Sequence, residues 1–253
     1  MKRTMKRAMN RALGAAIFFY SLGLVFHAIP FTRALAAPTA PVLLIVFGIL
    51  VSAPFLKTGG AALRLWAAIT FIITFALEAI GVATGLVFGP YEYGTALGPN
   101  ILAVPPVIGF NWVLVVLAAW HLARIAIGAG GLIAGRAGRI AVALLTGLFC
   151  ALFDWVMEPA AIALGYWNWF GAPIPLQNYL AWFIIAALAA WSLEEVLSAR
   201  ARGGARARGG ARAPAPTLDP DLEKAGGTIM RYAGIQLAFF IGIRIELALG
   251  LLR

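Results

Sequence analysis

The chain has 253 residues, 62% of them hydrophobic and 12% charged, where soluble domains have roughly 45–50% apolar and 25% charged residues. With a mean hydropathy of +0.90, that balance excludes a soluble globular domain and points to a multi-spanning membrane protein. The net charge of +10 does not argue for nucleic acid as a partner, because the basic residues fall in short clusters between apolar runs, as cytoplasmic loops do.

Apolar stretches of near-spanning length run over 12–29, 41–56, 65–88, 104–127, 140–164, 177–197 and 228–251. They predict an all-α bundle of about seven transmembrane helices, the second of them short. The start, MKRTMKRAMNR, followed by apolar residues, has the outline of a signal peptide, with a weak cleavage-like signal at 34–37. The run from Ala12 to Ile29 is long for the apolar part of such a peptide, so the first helix is expected to be retained.

Basic residues set the expected orientation. Lys2, Arg3, Lys6, Arg7 and Arg11 precede the first span, Lys57 and Arg64 separate the second and third, and Arg136 and Arg139 the fourth and fifth. Arg200, Arg202, Arg206, Arg208, Arg212 and Lys224 lie between the sixth and seventh, and the alternate loops hold only Arg33 before Arg253. The positive-inside rule then puts the N-terminus in the cytoplasm and the C-terminus outside, in a multi-pass protein of the cell (inner or plasma) membrane. Three parts are expected: a transmembrane helical core over 1–197 that carries the site, a linker over 198–226, and a final transmembrane helix over 227–253. The linker is rich in Arg, Gly, Ala and Pro, and cannot bury enough apolar surface to fold alone. It reads as a disordered cytoplasmic tether.

The fifth span is the unusual one. It carries Asp154 and Glu158, four residues apart and so on one face of a helix, about a turn from each other. A charge at mid-bilayer costs roughly 2.5–3.5 kcal/mol on insertion scales, so an acid there is normally paired, protonated or used. Pro159 cannot donate to the carbonyl of Trp155, which leaves one backbone oxygen beside the acids seeking a partner. Cys150, the single cysteine, excludes an intrachain disulfide and reads as a small packing residue.

Depth brings other polar residues to the same level. At a 1.5 Å rise per residue, Glu78, Asp154 and Asn111 each come out about 20 Å from the inner end of their spans, with Glu158 and Arg244 a little further out. His27 sits near the outer end of the first span. Other roles are open to each: Glu78 as a structural ion pair with Arg244, Asn111 as an interhelical hydrogen bond, and His27 as an interfacial residue. Gly81, Gly85 and Gly89 suggest close helix packing. His121 has no evident partner in this set. No metal is expected, since no two histidines share a helix face. The loops 89–105 and 165–176 mix Gly and Pro with Tyr and Trp, as an interfacial aromatic belt with turns would, yet both follow helices that carry acids.

The residues from Glu78 to Tyr93, EAIGVATGLVFGPYEY, resemble a signature of the integral-membrane carotenoid hydratases. Residues 97–105, Asn111–Trp112, Asp154 through Trp169, and then Pro175, Asn178, Tyr179 and Trp182 continue the resemblance, over about half the chain. The chain has Glu158–Pro159 where that family often has AspPro, and a short link from Trp169 to Asn178. The resemblance implies addition of water across the terminal 1,2 double bond of an acyclic carotenoid end group, with no cofactor. It implies a carotenoid as substrate and membrane lipid as surroundings, and leaves other carotenoid biosynthesis enzymes open as partners.

An unactivated alkene needs a strong, positioned acid, and withdrawal from water favours the neutral carboxyl that can give up a proton. Asp154 is expected to be that acid, Glu158 to hold the water and accept its proton, and Glu78 to assist from the facing helix. Asn111, Trp112, Tyr91, Tyr93, Trp155, Tyr166, Trp167 and Asn178 are the expected substrate-binding residues, the aromatic ones offering cation–π stabilisation. Two competing readings share these residues: a non-enzymatic carotenoid- or lipid-binding membrane protein, and a proton-coupled transporter with Glu78 and Asp154 as relay groups.

Overall fold

A computed structural model describes residues 3–36, 38–129, 135–171, 173–207 and 218–252. Their elements in chain order are α1 (Arg3–Ala28), α2 (Pro30–Ala36), α3 (Thr39–Thr84), β1 (Tyr91–Tyr93), α4 (Pro106–Ala129), α5 (Gly135–Ala163), β2 (Trp167–Trp169), α6 (Leu176–Ala207) and α7 (Pro220–Ala248). Among the described residues, six helices are long and apolar enough to cross a membrane. The protein is an all-α, multi-pass membrane bundle.

The 46 residues of α3 would measure about 69 Å if straight. They are not straight, because Gly60 adopts φ 69° and ψ −162°, a conformation that L side chains rarely reach. Gly48 lies against Phe110 and Leu114, and Gly109 lies against Phe71. Positions on either side of Gly60 thus meet the same turns of α4, so α3 doubles back on itself and crosses twice. Lys57 and Arg64 flank the turn, and an Arg200 side-chain nitrogen donates to the Gly59 carbonyl. The second and third expected spans are the two limbs of this hairpin.

The central helix is α4, buried on all sides from Trp112 to His121, as a helix that is apolar all round must be. Around it the other helices turn apolar side chains outward; Ile72, Leu144, Leu152, Ile184 and Leu188 are among the exposed ones. In a bilayer such surfaces meet acyl chains rather than water.

Helices α1 and α7 run parallel. Tyr20 meets Tyr232, and further along both helices Leu24 meets Gly242. The start of α1 and the end of α7 therefore lie on opposite faces of the bundle, as an odd number of crossings requires. A reporter fused after Arg208 should read cytoplasmic and one after Arg253 external. Both reading on one side would mean that α7 does not cross.

On the N-terminal face a layer of charge, buried at its centre, closes the bundle. Arg124 pairs with Glu194 at 2.6 Å, and the Trp120 indole donates to the same carboxylate at 2.8 Å. Arg139 pairs with Glu195 at 3.2 Å. His121 is buried against Gly226.

The expected linker over 198–226 differs at both ends. Helix α6 continues to Ala207, as the helix-favouring Ala and Arg residues allow. Helix α7 starts at Pro220, with Asp219 as its cap, its side chain accepting from the Asp221 N–H at 2.8 Å. Residues 208–217 lie outside the described residues.

Candidate functional site

Helix α3 ends at Gly85, whose left-handed φ of 69° turns the chain while its N–H bonds the Gly81 carbonyl at 2.8 Å. Gly81 leaves room for what returns: a Cβ there would come within 2.8 Å of the Phe88 ring. Gly89 lies against Pro175 and Trp169. Rather than packing helix on helix, these glycines fold the following segment back over the last turns of α3.

That segment and the one after α5 meet. Strands β1 and β2 pair antiparallel, with Tyr91 opposite Trp169, Glu92 opposite Asn168 and Tyr93 opposite Trp167. Successive side chains of a strand point to opposite faces, so Tyr91, Tyr93, Trp167 and Trp169 face the bundle while Glu92 and Asn168 face away. The expected aromatic belt is a two-stranded ribbon that covers the end of the bundle as a lid.

Each inward ring carries one polar atom, and those atoms find the buried acids. The Tyr91 hydroxyl donates to Glu78 Oε2, the Tyr93 hydroxyl to the same atom at 2.8 Å, and Trp112 Nε1 to Glu78 Oε1 at 2.7 Å. Burial, and after it the Glu78 charge, pushes both phenols above their ordinary range, so Tyr91 and Tyr93 remain donors. Across the ribbon, Trp167 and Trp169 donate from Nε1 to Glu158 Oε2 at 3.0 and 2.9 Å. Hydrogen bonds to a charged group are worth about 1.5–3 kcal/mol each.

Asp154 and Glu158 share the inner face of α5 with Met157 and Ala161, all buried. Asn178, in the first turns of α6, joins the two acids: its Nδ2 lies 2.5 Å from Asp154 Oδ2 and 3.3 Å from Glu158 Oε1. Asp154 is 1% exposed, and its Oδ1 has no hydrogen-bond partner among the described residues.

One cavity of about 90 Å³ touches all of these groups. Glu78, Asp154, Glu158, Asn111, Trp112, Tyr91, Tyr93, Tyr166, Trp167 and Asn178 line it. The structure thus brings together every expected site residue but one. Trp155 is 54% exposed on the outer face of α5. Its carbonyl, which Pro159 leaves free, accepts from Arg244 Nη1 at 3.3 Å, and the guanidinium lies 5.1 Å from the centre of the Trp155 ring. Arg244 therefore staples the proline turn and does not pair with Glu78. Trp155→Leu should leave turnover within about twofold, as a surface change does. Arg244→Met should lower thermal stability by about 1 kcal/mol, read as a melting shift of the purified protein.

Several participants were not among the expected site residues, although the resemblance took in Trp169 and Trp182. Trp169 is the second indole on Glu158 and could have been found from the alternation in TrpAsnTrp. Trp182 stacks on Trp112 with ring centres 3.8 Å apart. Tyr20, Gln236, Phe239 and Phe240 line the side of the cavity toward α1 and α7. Among the described residues no three His, Cys, Asp or Glu side chains are placed to hold a metal ion.

No solved structure matches this chain. A segment of 125 residues is 32% identical to bisanhydrobacterioruberin hydratase from Haloarcula japonica, over 47% of this chain and 40% of that protein. The alignment thus spans less than half the length of that curated relative. The family model for carotenoid biosynthesis proteins matches residues 39–251, which takes in both limbs of α3, the ribbon, all the buried acids and α7. The chain belongs to the carotenoid biosynthesis protein family.

Proposed function

We propose that this protein adds water to the terminal 1,2 double bond of an acyclic carotenoid end group, giving a tertiary alcohol. The observation that supports it most is the meeting of Glu78, Asp154 and Glu158 in one aromatic cavity whose lining, among the described residues, includes no Lys or Arg. Such a cavity suits an uncharged hydrocarbon that becomes cationic only during reaction. The name of the hydratase relative points the same way.

The three acids differ in their hydrogen bonds, and the differences suggest roles. Glu78 and Glu158 each receive three side-chain donors, the environment of a carboxylate ion. Asp154 receives one and keeps Oδ1 open, so it is assigned the proton. In the first step Asp154 gives that proton to the carbon of the double bond nearer the chain centre. The π bond breaks, and a tertiary cation forms at the terminal carbon. The carboxylates of Glu78 and Glu158 and the faces of the lid and Trp112 rings lower the energy of that cation. Water then forms the new C–O bond and passes its excess proton to Glu158. Proton return from Glu158 to Asp154, side by side on α5 and joined through Asn178, restores the starting state. The rest of the polyene would lie against Phe19, Leu43, Leu44, Phe239 and Phe240.

Expression in a host that makes lycopene or gamma-carotene tests the reading. A new, more polar hydroxylated pigment is expected only when the chain is present. An unchanged pigment profile with the protein in the membrane would leave carotenoid binding or transport in its place.

A further inference from the structure

Hydration needs a second substrate, and the cavity lining holds two polar atoms that the acids do not account for. Gln236 lies in α7 and is 4% exposed, the one polar side chain in the apolar run from Ala233 to Ile243. Its amide lies beside the hydroxyls of both Tyr20 and Tyr232. Those hydroxyls are 2.9 Å apart, and that of Tyr232 reaches toward the Leu44 carbonyl at 3.5 Å. That hydroxyl pair gives the NH₂ side of the amide a partner to turn toward. Gln236 Oε1 is buried, lines the same cavity as the acids, and has no partner among the described residues. Asn111 Oδ1, on α4, is in the same condition in the same cavity.

Buried acceptors left without donors are costly. A carotenoid hydrocarbon has no O–H or N–H and cannot satisfy them. Water can: a buried water typically makes 2–4 hydrogen bonds, and this one would give both protons to amide oxygens. Its lone pairs then point away from those oxygens, toward whatever else occupies the cavity. That is the orientation a nucleophile needs.

Resting on the hydratase reading, we infer that Gln236, anchored by Tyr20 and Tyr232 and assisted by Asn111, holds the water that captures the tertiary cation. Glu158 then takes the proton that this water loses. Gln236 thereby decides the fate of the cation. With the water held, a C–O bond forms. Without it, the cation loses a proton from an adjacent carbon and returns to an alkene.

The test uses the full-length protein in lipid vesicles with an acyclic carotenoid, in heavy water. Gln236→Met keeps the size of the side chain and removes the acceptor. It should lower alcohol formation by about a hundredfold, the scale of a misplaced reactant, while recovered carotenoid gains deuterium at its end group. Gln236→Glu, which keeps an acceptor oxygen, should hydrate within about tenfold of wild type, smaller than the loss in Gln236→Met. Tyr20→Phe, which removes one anchor, should move the balance the same way by less. Normal hydration by Gln236→Met would overturn the inference. So would a loss of alcohol with no deuterium in recovered carotenoid, since the residue would then serve protonation or packing. A wild-type protein that makes neither alcohol nor deuterated carotenoid would instead remove the hydratase reading itself.

Discussion

Asp154→Asn should abolish turnover while the protein still inserts and still binds carotenoid. The substitution keeps the shape and the neighbour Asn178, and removes the one acid of the cavity that, among the described residues, has an oxygen without a hydrogen-bond partner. Loss of a general acid costs roughly a hundred- to ten-thousand-fold in rate. A repacked core residue would instead show its effect in protein yield or melting temperature. Product formation per mole of folded protein, together with a binding measurement from the shift in carotenoid absorbance, separates the two. Near-normal hydration by Asp154→Asn would take the acid role away from Asp154.

The second large effect belongs to Glu78, and it is expected in the lid before the chemistry. Glu78→Leu leaves two buried phenols and the Trp112 indole without their acceptor. At about 1–3 kcal/mol for each orphaned donor, the loss is several kcal/mol, a large share of the 5–15 kcal/mol that holds an ordinary domain together. The ribbon should release, exposing the chain near Gly94 to protease and shifting the tryptophan emission to the red. Glu78→Gln, which still accepts, should keep more of the lid closed. An unchanged protease pattern for Glu78→Leu would mean that the ribbon is held by its rings alone.

How far these residues could be read from the chain depends on whether the rule involved is local. The shared depth of Glu78, Asn111 and Asp154 follows from the rise of a helix, and all three line one cavity. The turn at Gly60 was also legible, because Lys57 and Arg64 break the apolar pattern on either side of it. The outward position of Trp155 was available from helix geometry. A residue next to Asp154 points about 100° away from it, while Met157, Glu158 and Ala161 stay on its face. What no local rule supplies is pairing at a distance. The match of TyrGluTyr to TrpAsnTrp joins segments on either side of α4 and α5, and Arg244 finds the Trp155 carbonyl 89 positions away. Each half carried a signal: alternating aromatics in the strands, and a proline-freed carbonyl in α5. The partner in each case was set by packing. Gln236 shows the same division. Its isolation in an apolar helix was visible in the sequence, but its place beside Tyr20 was not.

Turnover in heavy water is the most direct measurement of the protonation scheme. If a carboxyl protonates the double bond and water then captures the cation, the wild-type product carries one deuterium on the carbon next to the new alcohol, at every end group that has reacted. A hydroxylated product with no deuterium at that carbon would contradict the scheme, whichever of the three acids were assigned the proton.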